Sequence, residues 1–298
     1  MKRLTLVAAL VLALVFVLGA CSQANDGFMT AKDKDALVAK YGVPQAKVIL
    51  EYTLDGDTKT VELTYDLLLD KAPITVVNFI NLVNQGYYNE KDVTTKDADG
   101  NDSVTAKDSF LIDGRVASST NAYVTGRYIV RENSSTHGKT YLSADDLDYT
   151  IKGEFVSNGY VLDKAATETD EKVTDGNAKF QLFALAMYHE NSVAAFDNAD
   201  AKFFINLSSH TTENYKNYAV FAYLKSMTVK SGDNVIVEDL AGVDSEVLYD
   251  FANRFTTSTV SLENSTDRPS IVTSFRLVKI EMLGNADYSN LPTKYVIK

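Results

Sequence analysis

The chain has 298 residues, 45% of them hydrophobic, with 17 Tyr, 14 Phe, 4 Pro, one Cys and no Trp. This content excludes an extended disordered protein, and its aromatic weight suits a globular, β-rich one. The formal charge of −11 disfavours nucleic acid and anionic lipid surfaces as electrostatic partners, and the lone cysteine excludes an intramolecular disulfide.

Met1-Lys2-Arg3 followed by the apolar run Leu6 to Ala20 describes an export signal, too short and wrongly flanked for a lasting span. Residues 1–20 are taken as that signal peptide. It ends Leu18-Gly19-Ala20-Cys21, which resembles a bacterial lipobox and implies that Cys21 is the lipid attachment residue. An ordinary signal peptide beside an incidental cysteine is the alternative. Loss of Lys2 and Arg3 leaves the chain still more acidic, so its membrane connection would be the lipid, not a basic patch.

Residues 21–46 read as a polar tether and one short helix, Lys32 to Tyr41, closed before Gly42 and Pro44. Val48–Leu54 and Thr60–Tyr65 are strand-like runs around Asp55-Gly56-Asp57, a hairpin turn. From Asp70 to Asn89 comes a short amphipathic helix. Pro73 suits its first turn, Val76, Phe79, Ile80 and Val83 form its apolar stripe, and Gly86 stops it. Glu90 to Asp108 is polar; its Asp97 to Asp102 centre lacks the glycine and the bidentate Glu of a calcium loop, so a solvated turn within an insertion is expected.

Ser109–Val116 and Asn121–Val130 return to strand character. Asn133 to Asp148 and Leu162 to Asn177 are polar excursions on either side of Tyr149–Phe155. Three apolar strand-like runs follow: Phe183–Met187, Ala201–Leu207 and Tyr218–Ala222. The stretch 229–268 holds a helix candidate, Asp244 to Arg254, and Ile271–Glu281 is a closing strand.

The hairpin, the helix opening Lys71-Ala72-Pro73 and continuing to Asn78-Phe79, and then Gly86-Tyr87-Tyr88 resemble the opening of a cyclophilin-type peptidyl-prolyl isomerase. Ile151-Lys152-Gly153-Glu154-Phe155 resembles that family's Ile-x-x-Glu-Phe segment. Leu185-Ala186-Met187, Phe203-Phe204-Ile205 and Tyr218-Ala219-Val220-Phe221 look like divergent copies of three family strands, in the family order. The resemblance runs from about Lys47 to Leu283, within a domain at 47–298 with insertions near 90–108, 133–148, 162–177 and 229–268. It implies a mainly β fold: a closed antiparallel cyclophilin-like barrel with helices capping its ends and long loop insertions.

It also implies a chemistry. Rotation about an X–Pro bond faces an amide-resonance barrier of roughly 18–20 kcal/mol. A catalyst needs an apolar seat for the proline ring and a donor that draws the nitrogen lone pair out of resonance. Arg115 stands where the family has its catalytic arginine, and Phe204 where it has the proline-pocket phenylalanine. Because Phe203 and Phe204 alternate, one faces the barrel interior and the other the groove. Tyr218 takes the place of the family His or Tyr, while Tyr123 falls in the run that replaces the family Gln-Gly-Gly. Lys202 replaces a glutamine, adding a charge near Arg115 that needs an acidic partner or water; Tyr188-His189 replaces Ala-Asn, which puts His189 at the groove. Lys202, His189, Tyr123, Tyr218 and Phe204 are the expected substrate-binding residues.

The three histidines lack metal-ligand spacing, and the reaction needs no metal or other cofactor. The implied partners are proline-containing segments of exported proteins and, through the lipid anchor, a membrane, with the domain at the outer face of the cytoplasmic membrane. The implied function is folding assistance by X–Pro isomerisation. The alternatives are an inactive peptide-binding lipoprotein, and a scaffold whose insertions form the functional face.

Overall fold

Two periodicities build the fold. A computed structural model describes residues 27–54, 57–112, 121–124, 127–131, 139–142, 147–160, 178–190, 195–207, 216–237, 275–293 and 296–297. Cys21, Arg115, the 162–177 excursion and the Asp244 to Arg254 helix candidate therefore lie outside the described residues.

The first helix, α1 (Ala31–Tyr41), is started by Thr30, whose hydroxyl accepts from the Asp33 amide at 3.2 Å. Gly42, at φ +62°, ends it. The helix lays Leu37, Val38 and Tyr41 on the core. Strands β1 (Gln45–Leu54) and β2 (Asp57–Leu67) then pair as the expected hairpin, Val48 opposite Leu63 and Leu50 opposite Val61. Their inward set is Ala46, Val48, Leu50, Val61, Leu63, Tyr65 and Leu67, every second residue, and all are buried.

Helix α2 (Pro73–Asn84) has the expected bounds but not the expected exposure. The four stripe residues are buried, and so is the whole run Pro73 to Ile80 together with Leu82. It is an enclosed helix packed on β8 (Thr150–Ile151) and β13 (Phe275–Leu283), not an amphipathic one. Gly86, at φ +67°, carries the chain out of it.

Two other stretches differ from their sequence reading. Residues 90–108 contain most of a β-hairpin, β3 (Lys91–Lys96) with β4 (Asp102–Ile112). Only its tip is a solvated turn, where Asp97 Oδ1 accepts from the amides of Asp99 and Asn101 at 2.9 Å each. The single strand expected over Asn121–Val130 is two strands that part company. β5 (Asn121–Val124) pairs with β10 (Phe203–Asn206), whereas β6 (Arg127–Arg131) pairs with β4.

With β7 (Lys139–Leu142), β9 (Leu185–Met187) and β11 (Val220–Ser231), the pairing order is β5-β10-β9-β11-β2-β1-β13-β4-β6-β7. A further strand, β12 (Asn234–Val237), extends from β11, and β14 (Val296–Ile297) pairs with β8. β4 and β5 come near each other, yet no ladder joins them among the described residues. The expected closed barrel is thus an open path of strands here. Its concave core gathers Phe79, Tyr88, Phe203 and Phe221, whose rings meet at 5.0–6.3 Å.

Candidate functional site

Period-two alternation gives the strands β5, β10, β9 and β11 two different faces. Ala122, Val124, Phe203, Ile205, Leu185, Met187, Ala219 and Phe221 point into the main core. Tyr123, Phe204, Ala184, Ala186 and Val220 point the other way and form a second apolar cluster with Ala178 and Phe180. The pair Phe203-Phe204 therefore divides between interior and outer face, as its alternation requires.

On that outer face Phe204 lies at the bottom. The small side chains of Ala184, Ala186 and Val220 share its cluster, and three aromatic rings lie against it, with a fourth one step further out. Tyr218 meets it edge-on at 5.1 Å, Tyr123 lies at 5.6 Å and Phe180 at 5.9 Å, while Tyr188 stands edge-on to Tyr123 at 5.9 Å. The floor is apolar and the rim carries three phenol groups, an arrangement suited to seating a small apolar ring with hydrogen bonding at its border. Burial raises the Tyr218 hydroxyl above the usual tyrosine range, with Tyr123 and Tyr188 adding to the effect, so that hydroxyl stays neutral and able to donate.

Lys202, immediately before Phe203, is held by the acid next to it. Its Nζ lies 3.2 Å from Asp200 Oδ2, while Asp200 Oδ1 accepts from the amides of Ala201 and Lys202 at 2.6 and 3.0 Å. The acidic partner that this lysine requires is thus two residues upstream.

His189 is placed differently from its sequence reading. It is 3% exposed, stacked on Phe155 at 5.1 Å and tilted against Tyr218 at 4.9 Å. Its Nδ1 faces the Glu190 carbonyl at 2.8 Å and its Nε2 the Asn217 carbonyl at 2.6 Å. With both nitrogens engaged by backbone, His189 braces the Tyr218 turn from behind; it is not presented to a ligand. The structure therefore brings together Phe204, Tyr123 and Tyr218, sets Lys202 at the edge of β10, and puts His189 beneath them. Arg115 lies beyond the described residues.

The strand bearing Phe204 is positioned from α2. Asn78 Nδ2 donates to the Asp200 carbonyl at 2.6 Å, and Tyr88 hydroxyl donates to the Ala201 carbonyl at 2.7 Å. Tyr149 hydroxyl donates in turn to Asn78 Oδ1 at 2.8 Å. Helix α2 has Ala72 at its cap and no capping side chain of its own. Glu154 supplies the acceptors instead, taking the Ile74 and Thr75 amides at 2.9 and 2.8 Å. Its carboxyl is 2% exposed, and burial pushes it up to about 7 against the pull of those donors.

Three features escaped the sequence reading: the Glu154 cap, Phe180, and Arg127, which sits 3% exposed between β4 and the Tyr87–Asn89 turn. Arg127 donates to Asp108 Oδ1 at 2.7 Å and to the carbonyls of Tyr87, Asn89 and Asp108 at 2.9–3.1 Å. Glu154 had a signal, its place in Gly153-Glu154-Phe155; the other two had none, since their partners lie far away along the chain.

A family model for cyclophilin type peptidyl-prolyl cis-trans isomerase matches residues 53–236. A search of curated proteins found no match. Among solved structures, the chain is similar to a cyclophilin type peptidyl-prolyl cis-trans isomerase of Cryptosporidium parvum, at 12% identity, covering 82% of this chain and 99% of that one, with a TM-score of 0.38. The structure of that protein in the presence of the dipeptide Ala-Pro gives 12% identity, 81% and 99% coverage and 0.38. The Mimivirus cyclophilin gives 12%, 82% and 91%, and 0.37. At such scores the family match carries the assignment, and the superpositions add nothing to it.

Proposed function

The chain belongs to the cyclophilin-type peptidyl-prolyl cis-trans isomerase family, and from that premise we propose that it isomerises X–Pro bonds of exported proteins at the outer face of the cytoplasmic membrane. The observation carrying this reading is the outer-face seat on Phe204, with Tyr123 and Tyr218 at its border. The proline ring packs on the Phe204 face, and burial of that ring fixes the position of the rotating amide beside it. The Arg115 guanidinium approaches the proline nitrogen and stabilises the pyramidal, twisted amide over either planar form. Rim hydroxyls hold the flanking peptide carbonyls, so rotation is confined to one bond. No bond is made or broken, and no proton leaves the substrate.

The pairing of Lys202 with Asp200 supports this reading, because the lysine charge at the edge of the seat is neutralised locally. The anchor belongs to the same proposal: the lipobox-like Leu18-Gly19-Ala20-Cys21 would lipidate Cys21 and keep the domain at the membrane surface, where exported chains emerge.

NMR exchange spectroscopy on an X–Pro peptide tests the enzyme assignment. Wild type should accelerate cis–trans exchange, and Arg115→Ala should reduce the acceleration by about 10²-fold or more, the scale of losing one transition-state donor. Equal acceleration by the mutant contradicts the assignment of Arg115. The second reading, a peptide-binding domain without catalysis, is favoured by Lys202 standing where the family has a glutamine and by the absence of tryptophan. Peptide affinity without any rate enhancement would establish it.

A further inference from the structure

The floor residue of the site is covered by the chain itself. Phe204 is 1% exposed, and of the three rings on it, two belong to the frame: Tyr123 lies on β5 and Tyr218 directly precedes β11. The third, Phe180, lies in neither strand nor helix. It sits on a strap, residues 178–184, that crosses the outer face ahead of β9. Within the strap, Ala178 and Phe180 are buried and Lys179 between them is exposed, so the strap presses alternate side chains onto the sheet. Phe180 touches both Phe204, at 5.9 Å, and Tyr218, at 6.3 Å.

The strap is tied at two places. Tyr223 hydroxyl donates to the Lys179 carbonyl at 2.8 Å, and Asn206 Nδ2 donates to the Gln181 carbonyl at 2.7 Å. It leaves through Phe183 at φ +62°, a left-handed conformation that a bulky residue adopts only under constraint; the constraint is a 2.6 Å bond from the Phe183 amide to the Asn206 carbonyl. The Asn206 ties, which include its amide bond to the Ala184 carbonyl at 2.8 Å, lie on the Gln181–Ala184 side of Phe180, while among the described residues the Lys179 side is tied by one hydroxyl contact to an exposed residue. Phe180 can therefore lift while β9 and β10 stay paired.

We propose that Phe180 is an intramolecular occupant of the proline seat, displaced each time an X–Pro segment binds. The inference rests on the reading of Phe204 as that seat. A flat, apolar side chain of the chain's own then competes with the substrate ring for the same Phe204 surface. The apparent affinity is reduced by the fraction of molecules in which Phe180 is down. The occupant favours segments able to replace its contacts, those with a bulky apolar residue beside the proline, over a bare proline ring.

The test uses two variants of Phe180 with Phe204→Ala as the control, all in the full chain, and an X–Pro peptide as probe. Phe180→Ala should lower KM, or the peptide Kd, about tenfold while kcat changes little, because it removes a competitor and not a transition-state contact. Since the chain contains no tryptophan, Phe180→Trp installs a single reporter whose emission should shift to the red as peptide expels it. Phe204→Ala should abolish binding. If Phe204→Ala abolishes binding but Phe180→Ala leaves affinity unchanged or weaker, and the Trp emission does not move on saturation, the seat is right and the occupant is wrong. If Phe204→Ala binds like wild type, or no variant binds at all, the reading of the seat fails and the inference with it.

Discussion

Glu154 shows how much one side chain can decide here. A helix whose cap residue is Ala72 has unpaired amides at its start, and Glu154, about eighty residues away in sequence, meets two of them from a buried position. Burial pushes its carboxyl up to about 7 from the ordinary value of 4.5 that the unfolded chain keeps. Between those values the folded chain keeps a proton that the unfolded chain has released, so the Glu154 contribution is full at acid pH and falls as pH rises through the window. Urea unfolding at pH 5 and pH 7.5 should show wild type losing stability relative to Glu154→Gln by about 2 kcal/mol across that interval. A parallel dependence in the two proteins would refute this account of the carboxyl. Tyr65 makes the opposite case. Its ring is fully buried and its hydroxyl meets no partner among the described residues. Tyr65→Phe should raise stability, by about 1 kcal/mol, in chemical unfolding.

At the scale of elements, α2 and the turn after it set the position of β10. The Asn78 and Tyr88 bonds to the Asp200 and Ala201 carbonyls tie the helix to the entry of the strand that carries Phe204. Arg127 fixes the other side of the same turn, with its fork shared among three carbonyls and the Asp108 carboxylate. Arg127→Met keeps the aliphatic volume but leaves those acceptors unpaired, and should cost about 3 kcal/mol in urea unfolding. Arg127→Lys should recover only part of the loss, since an ammonium cannot span the fork. Gly153 is required by close approach: a Cβ there would lie 2.3 Å from the Phe196 carbonyl oxygen. Gly153→Ala would displace the Phe155 and Phe196 rings that flank His189, and with them the Tyr218 turn.

The elements were legible to different degrees, and for physical reasons. The β1–β2 hairpin and the bounds of α2 followed from local periodicity, Pro73 and Gly86, because those signals lie within a few residues of the structure they specify. The opposed faces of Phe203 and Phe204 followed from strand geometry alone. Enclosure of α2 did not, since its polar member Asn78 finds buried partners, the Asp200 carbonyl and the Tyr149 hydroxyl, that only the tertiary fold supplies. The split between β5 and β6 was also hidden: both halves are β-formers, and what parts them is the choice of a different neighbour, β10 or β4. Phe180 carried no signal at all, because what marks it is its contact with Phe204 and Tyr218, more than twenty residues on.

At the scale of the molecule, a formal charge of −11 disfavours anionic lipid surfaces, so under the proposed anchor membrane attachment would rest on Cys21 alone. Cys21→Ser should move the protein from the detergent phase to the aqueous phase in a detergent partition of expressing cells, without altering its X–Pro activity. Retention of the mutant with the membrane would contradict the anchor. No helix among the described residues is long and apolar enough to cross a membrane.

The central claim is that the outer face of β10, with Phe204 as its floor, seats the proline ring. An NMR titration of the full chain with the Ala-Pro dipeptide, following aromatic and methyl resonances, tests it most directly. The account predicts shifts at Phe204, Tyr123, Tyr218 and Val220, with Phe203 and Phe221 on the opposite face left where they are. Shifts confined to other surfaces, or a saturable interaction that leaves the Phe204 ring unmoved, would contradict it.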